Sequence, residues 1–148
     1  MQRLFVSVFL LLSGGLALAS DCVVLLHGLA RTSVSMNKME RELAAAGFAT
    51  ANIDYPSREY TVEELAELAV PEGIAACRAR EGVDTIHFVT HSLGGILVRQ
   101  YLSNHEMPEL GRVVMLGPPN QGIVAVDELR VVPGFDWLNG PAGRQLGK

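Results

Sequence analysis

The sequence is short of cysteine, of positive charge and of histidine in its last third, and each shortage narrows what the chain can do. Two cysteines in 148 residues, Cys22 and Cys77, are too few for a cysteine-built zinc site or a disulfide-dense scaffold. No His, Cys, Asp or Glu cluster has the spacing of a metal site either. Lysine and arginine total 12 against 16 acidic residues, a formal net charge of −4. The basic patch that a nucleic-acid partner needs is therefore missing. Of the four histidines, only His105 lies in the last third of the chain. The longest apolar run, Leu4 to Leu12, is interrupted by Ser7 and falls short of the ~20 residues that span a bilayer. There are no internal repeats and no low-complexity segments.

What is present begins with a leader. Arg3 supplies a positive start, Leu4 to Leu12 an apolar core, and Ala17-Leu18-Ala19 a small-residue cleavage site. Residues 1–19 read as a secretory signal peptide, with an exported chain, periplasmic or secreted, starting at residue 20. A membrane anchor would need a longer core. A lipoprotein would need a small residue where Asp21 precedes Cys22. An oxidising compartment allows Cys22 and Cys77 to pair.

From residue 20 onward the pattern alternates. Cys22 to Leu26 is a continuous apolar run, as in a strand buried on both faces. Met36, Met39 and Leu43 are spaced for a helix over Ser35 to Ala46, with Gly47 as its stop. Phe48 to Ile53 reads as a second strand, closed by Asp54-Tyr55-Pro56-Ser57. Thr61-Val62-Glu63-Glu64 is a capping box. The helix it opens runs to Gly82 with a kink or restart at Pro71. Thr85 to Thr90 and Arg112 to Leu116 read as strands flanking a helix from Leu93 to Asn104. A loop-rich tail ends at Lys148. Such alternation predicts a mostly parallel sheet with helices on both faces. Cys22 then starts a strand at the amino edge, and Cys77 ends a helix returning to that edge, which favours a bridge over the alternative of two separate buried thiols.

Ligands in such sheets bind at the carboxyl ends of the strands, where His27, Asp54, Ser92 and Gly117 fall. Thr90-His91-Ser92-Leu93-Gly94-Gly95 has the layout of a nucleophile elbow, a sharp strand-to-helix turn that lifts a serine hydroxyl above the sheet. Thr90 stands where the first glycine of that layout is usual. His27-Gly28-Leu29 closes the first strand 65 residues upstream of the serine. In this architecture the backbone N–H groups of Leu29 and Leu93 converge on the nucleophile as an oxyanion hole. The competing reading of Ser92 is an ordinary helix N-cap.

Four segments together resemble the exported lipase- and esterase-like α/β-hydrolases of Gram-negative bacteria: His27 to Arg31, Asp54 to Arg58, Thr90 to Gly95, and Gly117 to Gly122. The resemblance covers roughly residues 22 to 147. It implies an α/β-hydrolase fold over residues 20–148, with Ser92 as nucleophile and Leu29 and Leu93 as oxyanion donors. It also implies a small-molecule or lipid ester as substrate, no cofactor, and no stable membrane span once the leader is removed.

A serine hydroxyl needs a base, and triads in this fold run serine, acid, histidine. His27 precedes the serine and reads as a brace for the oxyanion loop. His91 should point away from Ser92, and His87 sits within a strand. His105 ends a helix at the opposite edge of the sheet. Asp127 and Asp136 are candidate acids or plain loop residues, and Arg31 and Arg58 either pair with acids or line the pocket mouth. The expectation is a hydrolase domain incomplete at its carboxyl terminus and nearly inert as 148 residues. The alternatives are a naturally short relative and a non-catalytic acyl- or ligand-binding protein that keeps the fold.

Overall fold

The structure is a computed structural model that describes residues 20–119 and 135–146. The leader reading of residues 1–19, and Asp127, lie outside them. Four strands alternate with helices: β1 (Ser20–Leu26), α1 (Asn37–Ala45), β2 (Ala49–Ile53), α2 (Val62–Arg78), β3 (Val83–His91), α3 (Leu93–Asn104), β4 (Leu110–Leu116) and α4 (Phe135–Gln145). All strand pairs are parallel, in the order β2-β1-β3-β4. β1 is therefore the point from which the chain winds outward in both directions. Val24 lies opposite Ala51 on one side and Phe88 on the other.

Alternation along the strands sorts the core into two layers. Cys22, Val24, Leu26, Ile86 and Phe88 pack beneath α2 and α3 with Leu65, Ala69, Val70, Leu97 and Val98. Val23, Leu25 and Val89 face Met36, Met39, Leu43 and Phe48 on the α1 side. The central strand β1 is buried on both faces from Cys22 to Leu26, as its unbroken apolar run requires. Among the described residues no helix is long and apolar enough to cross a membrane.

Several boundaries differ from the sequence reading, each for a physical reason. Ser35 donates both its N–H and its hydroxyl to the Thr32 carbonyl. A 3₁₀ turn over Ser33–Met36 therefore precedes α1. Pro71 neither breaks nor restarts α2, which is one helix from Val62 to Arg78. Buried residues on both sides of the proline, Leu65, Ala69 and Val70 before it and Ile74 and Cys77 after it, hold the helix against the sheet. The pairing of β3 with β4 shifts register between Ile86 and Phe88, where the Arg112 N–H donates to Nδ1 of His87.

The tail is the main correction. Instead of a loop-rich end, Phe135–Gln145 forms two helical pieces joined at Gly140, whose φ of 66° is left-handed. Ala142 and Leu146 are buried in the α2–α3 core, which gives this segment a reason to fold back. Gln145 accepts the Val62 N–H at 2.7 Å and donates to Glu63 at 2.8 Å, adding a distant cap to α2. That bond holds the Glu63 carboxyl below its ordinary pKa. The local cap is the expected box: Glu64 N–H to the Thr61 hydroxyl, Thr61 N–H to the Glu64 carboxylate. Cys22 and Cys77 form a disulfide, with their Cα atoms 5.8 Å apart.

Candidate active site

The carboxyl ends of β1, β2 and β3 deliver three loops to one place. At the end of β3, Ser92 adopts φ 50° and ψ −114°, and Leu93 begins α3. An L-residue occupies such a conformation only when its surroundings impose it. Here the Ser92 N–H donates to the Leu116 carbonyl at 2.9 Å. Ser92 itself stays partly exposed while Leu93 is buried. Thr90, in place of glycine, is fully buried, with its hydroxyl 3.5 Å from the Val114 carbonyl.

Close approach dictates the neighbouring glycines. A Cβ on Gly94 would sit 2.6 Å from the Leu26 carbonyl and 2.9 Å from that of His27. The first turn of α3 thus lies directly on the end of β1. A Cβ on Gly28 would sit 3.3 Å from Ser92 Cβ and 2.7 Å from His91 Nδ1. The loop after β1 therefore runs backbone-first against the serine. Leu29 follows in that loop, half-buried. As the first residue of α3, Leu93 has an N–H that the helix itself leaves unpaired, at the positive end of the helix dipole.

The loop after β2 locks the loop after β1. His27 is fully buried, and its ring stacks on Tyr55 with centroids 4.0 Å apart. Nε2 of His27 accepts the Tyr55 N–H at 3.3 Å. The proton must then sit on Nδ1, which donates to the Gly28 carbonyl at 2.9 Å. The Tyr55 hydroxyl donates to the His27 carbonyl. Ser57, also buried, accepts the Ala30 N–H at 3.0 Å. Asp54 lies 3.5 Å from Nε2 of His27 and favours its protonation. Desolvation outweighs that pull and lowers the His27 pKa, since the Asp54 side chain is 63% exposed and accepts the Ser33 N–H. Burial also raises the Tyr55 pKa, so its hydroxyl keeps its proton.

Two of the other histidines are engaged elsewhere. His87 contacts Asp21 at 3.2 Å and the Arg112 N–H. His105 meets Glu67 at 2.7 Å and stacks on Tyr101. It lies beyond the far end of α3, and 12 residues of helix are about 18 Å long. His91 lies against Gly28 and lines an apolar groove of about 470 Å³ with Met36, Met39 and Leu116. A cleft of about 660 Å³ lies between Ala30–Thr32 and Asp54–Glu59. Arg31 and Arg58 line it together with Asp54 and Glu59, so its wall carries both signs of charge. Among the described residues no group of His, Cys, Asp and Glu is arranged to hold a metal ion.

Residues 23–147 match the sequence profile of the alpha/beta hydrolase family. The chain belongs to that family. Its fold resembles a lipase of Bacillus licheniformis in mature form, at 25% identity and a TM-score of 0.67 over 87% of this chain and 55% of that one. It also resembles a monoacylglycerol lipase of Paleococcus ferrophilus (23% identity, TM-score 0.57, 79% of this chain and 51% of that one). An esterase of Exiguobacterium antarcticum shares the fold as well (20% identity, TM-score 0.60, 75% and 47%). The chain spans about half the length of these solved relatives. No curated protein matches it in sequence. The described residues bring Ser92 and the His27-Gly28 loop together. The sequence signalled both. It gave no role to Tyr55 and Ser57, whose only mark was a polar Tyr-Pro-Ser group closing a strand.

Proposed function

We propose that this chain carries the nucleophile and oxyanion hole of a serine hydrolase acting on carboxylic esters, small-molecule or lipid. Ser92 Oγ attacks the ester carbonyl and its proton passes to a base. The tetrahedral oxyanion rests between the Leu29 and Leu93 N–H groups, and the alcohol leaves carrying the proton. Water then cleaves the acyl-enzyme by the same route. No cofactor enters this cycle. The observation that carries the reading is the left-handed Ser92 turn pressed against the Gly28 backbone. The apolar groove beside His91 and the lipase relatives favour an ester with an apolar portion. The reading of residues 1–19 as a leader and the Cys22–Cys77 bridge favour an exported protein, with residues 1–19 removed and residues 20–148 belonging to the hydrolase domain.

Three of the four histidines are engaged away from Ser92, His27 with Tyr55, His87 with Asp21 and His105 with Glu67, so we expect weak catalysis. An oxyanion hole still stabilises the negative oxygen that forms when an unassisted Ser92 hydroxyl attacks a strong electrophile, although without a base that attack is slow. A fluorophosphonate probe should therefore label the protein slowly at Ser92, and Ser92→Ala should abolish the labelling. The same histidine placement favours a second reading, a non-catalytic ligand-binding protein. A folded chain that takes up no probe, or takes it up equally after Ser92→Ala, would support that reading over the enzyme.

A further inference from the structure

We propose that Tyr55 and Ser57, on the loop after β2, are positioning residues that set the direction of the Leu29 N–H, and so build the oxyanion hole from outside its own loop. The inference rests on the reading of Leu29 as an oxyanion donor and adds what holds it in place.

The argument is one of peptide planes. A peptide is flat, so the carbonyl of one residue and the N–H of the next point in opposite, linked directions. Three consecutive planes surround Leu29. In the plane joining His27 to Gly28, the carbonyl receives the Tyr55 hydroxyl. In the plane joining Gly28 to Leu29, the carbonyl receives Nδ1 of His27 at 2.9 Å and the Arg31 N–H at 3.3 Å. In the plane joining Leu29 to Ala30, the N–H donates to the Ser57 hydroxyl at 3.0 Å. The middle plane carries the Leu29 N–H, directed away from the anchored Gly28 carbonyl.

Apart from the Arg31 N–H, which belongs to the turn itself, each anchor leads back to the same short loop. Tyr55 supplies its hydroxyl to the first plane. Its backbone N–H and stacked ring hold the His27 imidazole, which supplies the second anchor. Ser57 supplies the third. A loop left to itself would not keep this shape. Gly28 has no side chain to restrict it, and Ala30 sits at φ 55°, where an L-residue is strained and stays only under restraint. The buried Ser57 hydroxyl on the Ala30 N–H is such a restraint. With its anchors removed, the Leu29 N–H is free to rotate away from the position an oxyanion would occupy, while the sheet beneath stays intact.

The test reads the hole directly and needs no catalytic base. Ser92→Cys introduces the one free thiol of the protein, since both natural cysteines are bridged. Treatment with p-nitrophenyl [carbonyl-¹³C]acetate forms a thioester at that position, with p-nitrophenolate leaving. Infrared difference spectroscopy then reports how strongly the labelled carbonyl is hydrogen-bonded. In Ser92→Cys alone the band should lie below that of a thioester in water. Adding Ser57→Ala should lose the larger part of that downshift. Adding Tyr55→Phe should lose part of it, and adding Ser57→Thr, which keeps a hydroxyl, should restore most of it. Melting curves establish that each variant is folded, and Tyr55→Phe carries the test should Ser57→Ala unfold. An unshifted band in Ser92→Cys alone would overturn the oxyanion reading itself. A downshift that survives both Ser57→Ala and Tyr55→Phe would overturn only the positioning role.

Discussion

The two ends of the sheet are built on different principles. At the amino end, Cys22 is bridged to Cys77 and Arg78 pairs with Glu109, whose carboxyl is held below its ordinary pKa by its own backbone N–H and by that arginine. At the carboxyl end the chain accepts strain. Ala30 and Ser92, the two non-glycine residues with positive φ among those described, both lie there. So do His27, Ser57 and Thr90, the buried polar residues of the described chain. One end is tied by a covalent bridge and an ion pair. The other holds backbone groups where relaxed chemistry would not leave them, which is the usual signature of a site whose shape serves a reaction.

If that division is right, the bridge should matter greatly for stability and little for the site. It closes a loop of 55 residues, and in the chain-entropy model its loss costs about 4 kcal/mol. Urea denaturation with and without reductant should show a loss of that order. Below the new transition, the labelling of Ser92 should proceed at its former rate. A labelling rate that falls together with stability would show that the two ends are mechanically coupled.

The converse change acts at the strained end. Ser92→Gly should remove the cost of placing a Cβ at φ 50° and stabilise the protein by about 1 kcal/mol. Ser92→Ala, which keeps the Cβ, should gain little. Thermal melting of the two variants separates backbone strain from any contribution of the hydroxyl. Equal melting temperatures would mean that the turn is not strained by its side chain.

The same contrast explains what could be read in the sequence. Periodicity reports burial, so β1, the α2 capping box and the helix behind Ser92 were legible from Val23–Leu26, Thr61–Glu64 and Leu93–Leu97. The elbow was legible because close backbone approach demands Gly94 and Gly95 next to a serine. The Cys22–Cys77 bridge was legible from topology together with the reading of an exported chain. The helical tail was not legible: Gly140 and Pro141 look like loop residues, and only tertiary contact of Ala142, Gln145 and Leu146 with α2 and the core makes a helix there. Tyr55 and Ser57 were not legible either. Their bonds to His27 and Ala30 cross 27 or 28 positions of sequence, and nothing local in Tyr-Pro-Ser announces a partner that distant.

The smallest expected effect is also the most local. The brace works only with a neutral His27, because Nε2 must accept the Tyr55 N–H while Nδ1 donates to Gly28. Burial lowers the pKa of this ring in the folded protein below its ordinary value of 6.5. Between that lowered value and 6.5 the unfolded chain binds the proton that the folded chain refuses, so stability rises with pH in that window. The contribution is fully present above 6.5 and is lost as the pH falls toward the folded value. Between pH 7 and pH 6 the loss is small, since only part of the unfolded population takes up the proton. The melting temperature should fall gently over that interval. The ¹⁵N shifts of His27 should meanwhile keep the pattern of a neutral ring protonated on Nδ1. An imidazolium pattern in the folded protein at pH 6 would mean that Asp54, 3.5 Å away, prevails over burial. Acid would then convert the brace into an ion pair and turn Nε2 from an acceptor of the Tyr55 N–H into a competing donor.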